Sequence, residues 1–169
     1  MNLPKVELFD DAALELGQLY RSSAVIGAGP ELPPAQIPDR WKGQPGTRAP
    51  HLWIEADDEW KSTIDILTSR WTVVTAAPQW AAAAAAMEAE AGIAVAAQRV
   101  GTDLVSPDGL DIAAAFGLES GGAALIRPDG YIAWRSGPVE DPTATLATAL
   151  ARVASAARVA SSQQEGAVR

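Results

Sequence analysis

An α/β fold, a central mixed sheet flanked by helices, is the fold class this sequence predicts. Three observations predict it. The run Trp71-Thr72-Val73-Val74-Thr75 is apolar and β-prone, and it breaks into an alanine-rich stretch through Ala76-Ala77-Pro78. A second strand-like run, Ile93 to Val100, follows that stretch. Near the end, Arg127-Pro128-Asp129-Gly130 separates two apolar runs, Ala123 to Ile126 and Tyr131 to Trp134. Proline presets φ and glycine accepts a left-handed backbone, so this segment reads as a hairpin turn.

In chain order the elements justify themselves as follows. Residues 1 to 19 are mixed, with a weak apolar pattern at Leu14, Leu16 and Leu19. Tyr20 to Ile26 reads as a short strand or extended segment. Gly27-Ala28-Gly29 after Val25-Ile26 imitates the opening of a dinucleotide fingerprint. The third glycine position is Leu32, and Pro33, Pro34 and Pro38 occupy the place of the required helix. A turn into a loop is therefore the reading, and residues 27 to 50 become an irregular connection.

Leu52 and Ile54 alternate with His51 and Trp53, a short strand, and Glu55 to Glu59 reads as an acidic loop. Ser62 suits the cap of a short helix over Thr63 to Leu67. Pro78 fits the first turn of the long alanine helix and Gly92 its end. Ile93 to Val100 mixes Ala and Val with Gln98 and Arg99, which suggests an edge strand. Ser106, Pro107 and Asp108 carry helix-start signals for a short helix around Ile112, Ala115 and Phe116, closed by Gly117. Asp141-Pro142 opens the last helix, with Leu146, Leu150, Val153 and Ala157 on one face.

The domain reading is an N-terminal arm and Pro/Gly-rich linker over 1–45, one domain over 46–160, and a disordered tail over 161–169. Strand, helix, strand, short helix, hairpin, closing helix is the order of a thioredoxin-like fold. The position of that fold's reactive cysteine pair is held here by Ala76-Ala77-Pro78-Gln79, without CxxC.

Composition removes whole classes of chemistry. Cysteine is absent, so disulfides, thiolate metal sites and thiol mechanisms are excluded. His51 is the only histidine. Lys and Arg number 13 against 21 Asp and Glu, a net charge of −8 that opposes nucleic acid and anionic lipid. The N-terminus has no signal-peptide pattern, and no run approaches the roughly 18 apolar residues of a membrane span. A cytoplasmic chain, with neither nucleic-acid nor membrane partners, is the expectation.

Five residues stand out as contacts to a partner or ligand. Arg48, His51 and Trp53 cluster in sequence; their plainer reading is a solvated strand edge with a snorkelling arginine. Asp65 lacks a partner base or metal, and reads as a turn cap or a mate for Arg48 or Arg70. Trp134 is one of six tryptophans that either line an aromatic pocket or pack core and interface. Gly121-Gly122 precedes a strand and reads as a strand-entry turn. No catalytic, cofactor-binding or metal-binding residue is assigned.

Gly46 to Trp53, Ser62 to Leu67, and Gly122 to Arg135 occur in series, the last containing RPDG-x-x-AWR. Together they resemble the C-terminal domain of FAD-dependent aromatic-ring hydroxylases, the class A flavoprotein monooxygenases of phenols and aromatic polyketides. Leu16 to Val25 is similar to the segment joining that family's substrate domain to its C-terminal domain. The resemblance implies a thioredoxin-like domain without redox cysteines, with FAD bound elsewhere. It also implies association, as a homodimer or as a subunit of a flavoprotein hydroxylase. Three readings follow: a non-catalytic association module, a subunit of a split FAD-dependent hydroxylase, or a binding protein for an aromatic small molecule.

Overall fold

The computed structural model describes residues 11–56 and 59–166. The N-terminal arm holds two short helices, α1 (Asp11–Glu15) and α2 (Pro38–Trp41). Next come a hairpin, β1 (Trp53–Ala56) and β2 (Glu59–Ser62), and the one-turn helix α3 (Thr63–Leu67). The body follows as β3 (Trp71–Thr75), α4 (Pro78–Ala91), β4 (Val95–Arg99), α5 (Ile112–Ala115), β5 (Ala123–Ile126), β6 (Ile132–Ser136) and α6 (Pro142–Gly166). The main sheet has the order β4-β3-β5-β6. β3 runs parallel to β4 and antiparallel to β5, and β5 and β6 form the hairpin closed by Arg127 to Gly130. The mixed sheet and the edge position of β4 are as the sequence predicts.

Alternation along the strands divides the core in two. Val73, Ala123 and Leu125 face α4 and α6, where Trp80, Met87, Leu146, Leu150 and Val153 are fully buried. Val74, Ala124, Ile126 and Ile132 face the other way, against Ile54, Leu67, Leu104 and Phe116. A large apolar side chain buried this way stabilises by about 1.5–3 kcal/mol. The ends of α4 follow the sequence signals. Pro78 sits in its first turn, and Gly92 takes φ +65° while its N–H bonds the Glu88 carbonyl and the next N–H, of Ile93, bonds that of Met87. Ser62 caps α3 by accepting from Ile64 N at 3.1 Å.

Several expectations are corrected. The ends of the expected acidic loop are strand: Glu55 lies in β1 and Glu59 opens β2, paired from Trp53↔Ser62 to Ala56↔Glu59, while Asp57 and Asp58 lie outside the described residues. The acids sit on exposed positions while Ile54 points inward, so alternation outweighs their poor β-propensity. Tyr20 to Ile26 is not a strand. Ser22 Oγ accepts from Ala24 N, and Val25 N bonds Ser22 O, a turn that serine chemistry imposes on β-branched neighbours. Pro38 starts a helical turn inside the proline-rich connection. The cap of α5 is Asp111, which accepts from Ala114 N, whereas Ser106 closes a separate turn onto Leu110 N. α6 spans Pro142–Gly166, and residues 167–169 of the expected tail lie outside the described residues.

The arm is stitched onto β6. Gly46 N bonds Ile132 O, and Ile132 N bonds Thr47 O. In the β5–β6 register Leu125 faces Trp134 and Ile126 faces Ile132, leaving Ala133 as a bulge. The Ala133 carbonyl then accepts from Ile26 N at 2.8 Å.

Candidate functional site

The corner between β3 and α4 is internally sealed. Thr75 is fully buried; its hydroxyl donates to Gly122 O at 2.8 Å and accepts from Ala77 N at 3.0 Å. Trp80 Nε1 donates to Gly121 O at 2.8 Å. The place where a thioredoxin-like fold would present reactive groups is thus bonded to the Gly121-Gly122 turn, which enters β5 as the sequence suggests. Nothing at the corner is a nucleophile or a titrating base.

A cleft of about 580 Å³ opens elsewhere, at the seam between the arm and the body. The arm contributes Leu16, Pro38 and Trp41; the body contributes Pro50, Leu52, Ile64, Leu110 and Ala115. Trp41 is buried and anchored by Nε1 donating to Gly17 O at 2.7 Å. The charged and polar groups on the cleft are Asp39, Lys42, Thr47, Arg48 and His51.

The five residues singled out from sequence divide between the two faces. Arg48 and His51 line the cleft, and His51 meets Trp53 edge-on at 5.6 Å. Trp53 stands 55 % exposed on the outer face of the hairpin. Asp65 is exposed in α3, and among the described residues it makes no ion pair with Arg48 or Arg70. Trp134 packs edge-on to Trp80 at 5.7 Å, against the α4–α6 side of the core.

Sequence reasoning missed two devices. Arg48 lies 5.0 Å over the Tyr131 ring, Tyr131 is 5.9 Å from Tyr20, and Arg127 lies 5.7 Å over Tyr20. This alternating stack ties the arm to the hairpin turn. Arg135 Nη1 donates to Lys42 O at 3.0 Å and Gly43 O at 3.2 Å. Lys42 has φ +44° and Gly43 φ +67°, a left-handed pair ending α2. A Cβ at Gly43 would collide with the Phe116 carbonyl. A signal existed in the arginines and tyrosines of the serial blocks, but their partners are about 100 residues away in the chain or on the arm.

Electrostatically, the one perturbed pair among the described residues lies at the end of β4. The Arg99 guanidinium bonds Asp103 at 2.8 Å through both oxygens, holding that carboxyl below its usual range. It is not among the cleft residues. Among the described residues no three His, Asp or Glu side chains gather to hold a metal ion, and no helix is long and apolar enough to cross a membrane. At the Gly27–Gly29 turn the Glu31 carboxylate lies beside Gly29, a negative charge where a dinucleotide's pyrophosphate would sit.

Residues 42–157 match the family described as aromatic-ring hydroxylase, C-terminal. The chain is 42% identical over 156 residues to the 4-methyl-5-nitrocatechol 5-monooxygenase of a Burkholderia species, covering 87% of this chain and 28% of that protein. It is 38% identical over 141 residues to aklavinone 12-hydroxylase RdmE of Streptomyces purpurascens, covering 82% and 26%. Among solved structures, a ternary complex of aklavinone-11 hydroxylase with FAD and aklavinone superposes with a TM-score of 0.75 at 38% identity, covering 82% of this chain and 26% of that one. The chain therefore spans about a quarter of the length of these relatives.

Proposed function

Because this chain belongs to the family of aromatic-ring hydroxylase C-terminal domains, we propose that it serves as a non-catalytic module that associates, in the cytoplasm, with the flavin- and substrate-binding part of an FAD-dependent aromatic hydroxylase. The observation that carries the reading is the sealed corner: Thr75 and Trp80 close the fold's usual reactive position with hydrogen bonds to Gly122 and Gly121. A domain that retains its fold and loses its reactive position acts through its surfaces. On this reading, FAD of the kind bound in aklavinone-11 hydroxylase would be held by the part of a hydroxylase that these residues do not span. Bound there, FAD would supply the oxygen-activating chemistry; this chain's residues would contribute contact.

The test is reconstitution. The Burkholderia monooxygenase, expressed without its last quarter, is mixed with this chain. Co-purification and increased NAD(P)H oxidation with a nitrocatechol are the expected results. Tight FAD binding and NAD(P)H oxidation by this chain alone would overturn the reading.

Association with a second copy is a further form of the same reading, favoured by β4. Its outer edge pairs with no described strand, and small residues, Ala96 and Ala97, leave it open to another strand. Light scattering across a concentration series reads it directly; a monomer at every concentration removes it.

A further inference from the structure

We propose that Asp108 is a covalent modification site: it isomerises to isoaspartate through a succinimide closed by the Gly109 amide. The isolated chain carries this chemistry, apart from the association proposed above. Pro-Asp-Gly occurs twice in the sequence, at Pro107-Asp108-Gly109 and at Pro128-Asp129-Gly130. Glycine has no Cβ to shield its amide nitrogen from the preceding carboxyl, so both pairs have the local chemistry. Both also form the same turn, with Gly109 N bonded to Ser106 O and Gly130 N to Arg127 O. Tertiary surroundings, rather than sequence, separate them.

Asp129 is held from two directions. Its Oδ2 accepts from Arg127 Nη2 at 2.6 Å and its Oδ1 from Tyr131 N at 3.3 Å. Gly130 is buried, its N–H donates to Arg127 O at 2.9 Å, and the Thr68 methyl stands beside it. Ring closure there would break the ion pair, the Tyr131 bond and the turn that joins β5 to β6. Asp108 has no such restraint. Among the described residues its carboxylate takes part in no hydrogen bond or ion pair. Asp108, Gly109 and Leu110 are all exposed, and Gly109, at φ +70°, has nothing within 4 Å of the place a Cβ would take. Its bond to Ser106 O, at 3.3 Å, is the longer of the two turn bonds. Leu110 N stays tied to Ser106 Oγ at 2.8 Å, so the loop keeps its place while the ring closes.

The step balances without an oxidant or reductant. Gly109 N gives its proton to water and bonds Asp108 Cγ, and a carboxyl oxygen leaves as water. Water then adds to one of the two ring carbonyls. Opening at Cγ restores aspartate. Opening at the backbone carbonyl leaves the chain running through Cγ, one methylene longer, with a free α-carboxylate at its side. The lengthened link lies just before Asp111, whose carboxylate caps α5 through Ala114 N, and α5 brings Ile112 and Phe116 into the core. Isomerisation therefore marks an aged chain at the entry to a core helix.

The experiment ages the full chain at neutral pH and reads isoaspartate with an isoaspartyl carboxyl methyltransferase, which esterifies the new α-carboxylate with the methyl group of S-adenosylmethionine. Tandem mass spectrometry locates the ester. The expected result is label that grows with time at Asp108 and exceeds that at Asp129 at least about ten-fold. Asp108→Glu, which keeps the charge and would need a slower six-membered ring, should remove it. Arg127→Gln, checked for fold by circular dichroism, should raise label at Asp129 and leave Asp108 unchanged. In urea the two sites should label alike. No label at Asp108, label at Asp129 equal to or above it in the folded chain, or a ratio that survives unfolding would overturn the inference.

Discussion

Thr75 shows how a side chain can close a site. Its hydroxyl holds the turn before α4 and the turn before β5 at once. Thr75→Val keeps the shape and strands the Gly122 carbonyl and the Ala77 N–H. A loss of about 1–3 kcal/mol is expected, read from urea denaturation. Asp103 carries the pH prediction. Its folded pKa lies below the unfolded value because Arg99 bonds the ionised form. The stabilisation is therefore present above the unfolded carboxylate range, near 3.9, and is lost as pH falls through the folded value. Both side chains are partly exposed, at 48 % and 31 %, so the effect is small and screened by salt. Asp103→Asn should lower the melting temperature slightly at pH 7 and not at all in acid below both values; a difference that persists in acid refutes the assignment.

Among elements, the ones with two independent signals were legible. β3 and α4 combine an apolar run with proline at the start and glycine at the end, and the β5–β6 hairpin has its turn residues between apolar runs. α3 had a cap, and Ser62→Ala is expected to cost about 1 kcal/mol in thermal unfolding. The β1–β2 hairpin was hidden because its connection is acidic and its alternation is visible only once Ile54 is known to point at Leu67 and Phe116. Of the site, Arg48 and His51 were legible as polar residues near a strand. Trp41, Lys42 and Gly43 were not, because they belong to a stretch whose proline and glycine content reads as a linker, and their meaning arises from contacts with Gly17, Arg135 and Phe116. Tertiary contact, rather than local propensity, made that stretch structured.

At the scale of the whole molecule, arm and body share hydrogen bonds through Gly46, Ile132, Ile26 and Ala133 and an apolar seam around Trp41. They should unfold together. A chain starting at residue 46 keeps the Gly46 and Thr47 bonds to Ile132 but loses the Ile26 bond to Ala133 and the Trp41 seam, and it should lose its cooperative thermal transition, followed by circular dichroism. Trp41→Ala removes a buried indole and one of the two hydrogen bonds to the Gly17 carbonyl, which keeps that from Gln36 N; about 3–5 kcal/mol is the expected cost. If the 46-start chain melts as sharply as the full one, the arm is an accessory.

The spread of tryptophans gives this unity an optical consequence. Trp53 and Trp60 stand 55 % and 61 % exposed, whereas Trp41 and Trp80 are almost completely buried, one in the arm and one in the sheet core. Iodide added to the folded chain will quench the exposed pair and spare the buried pair. With Trp53 and Trp60 replaced by Phe, the remaining emission comes from indoles shielded to different degrees. Single-Trp chains keeping Trp41 or Trp80 alone would then record arm release and core melting as separate colours of one unfolding curve, and coincident curves would show directly that the two are a single event.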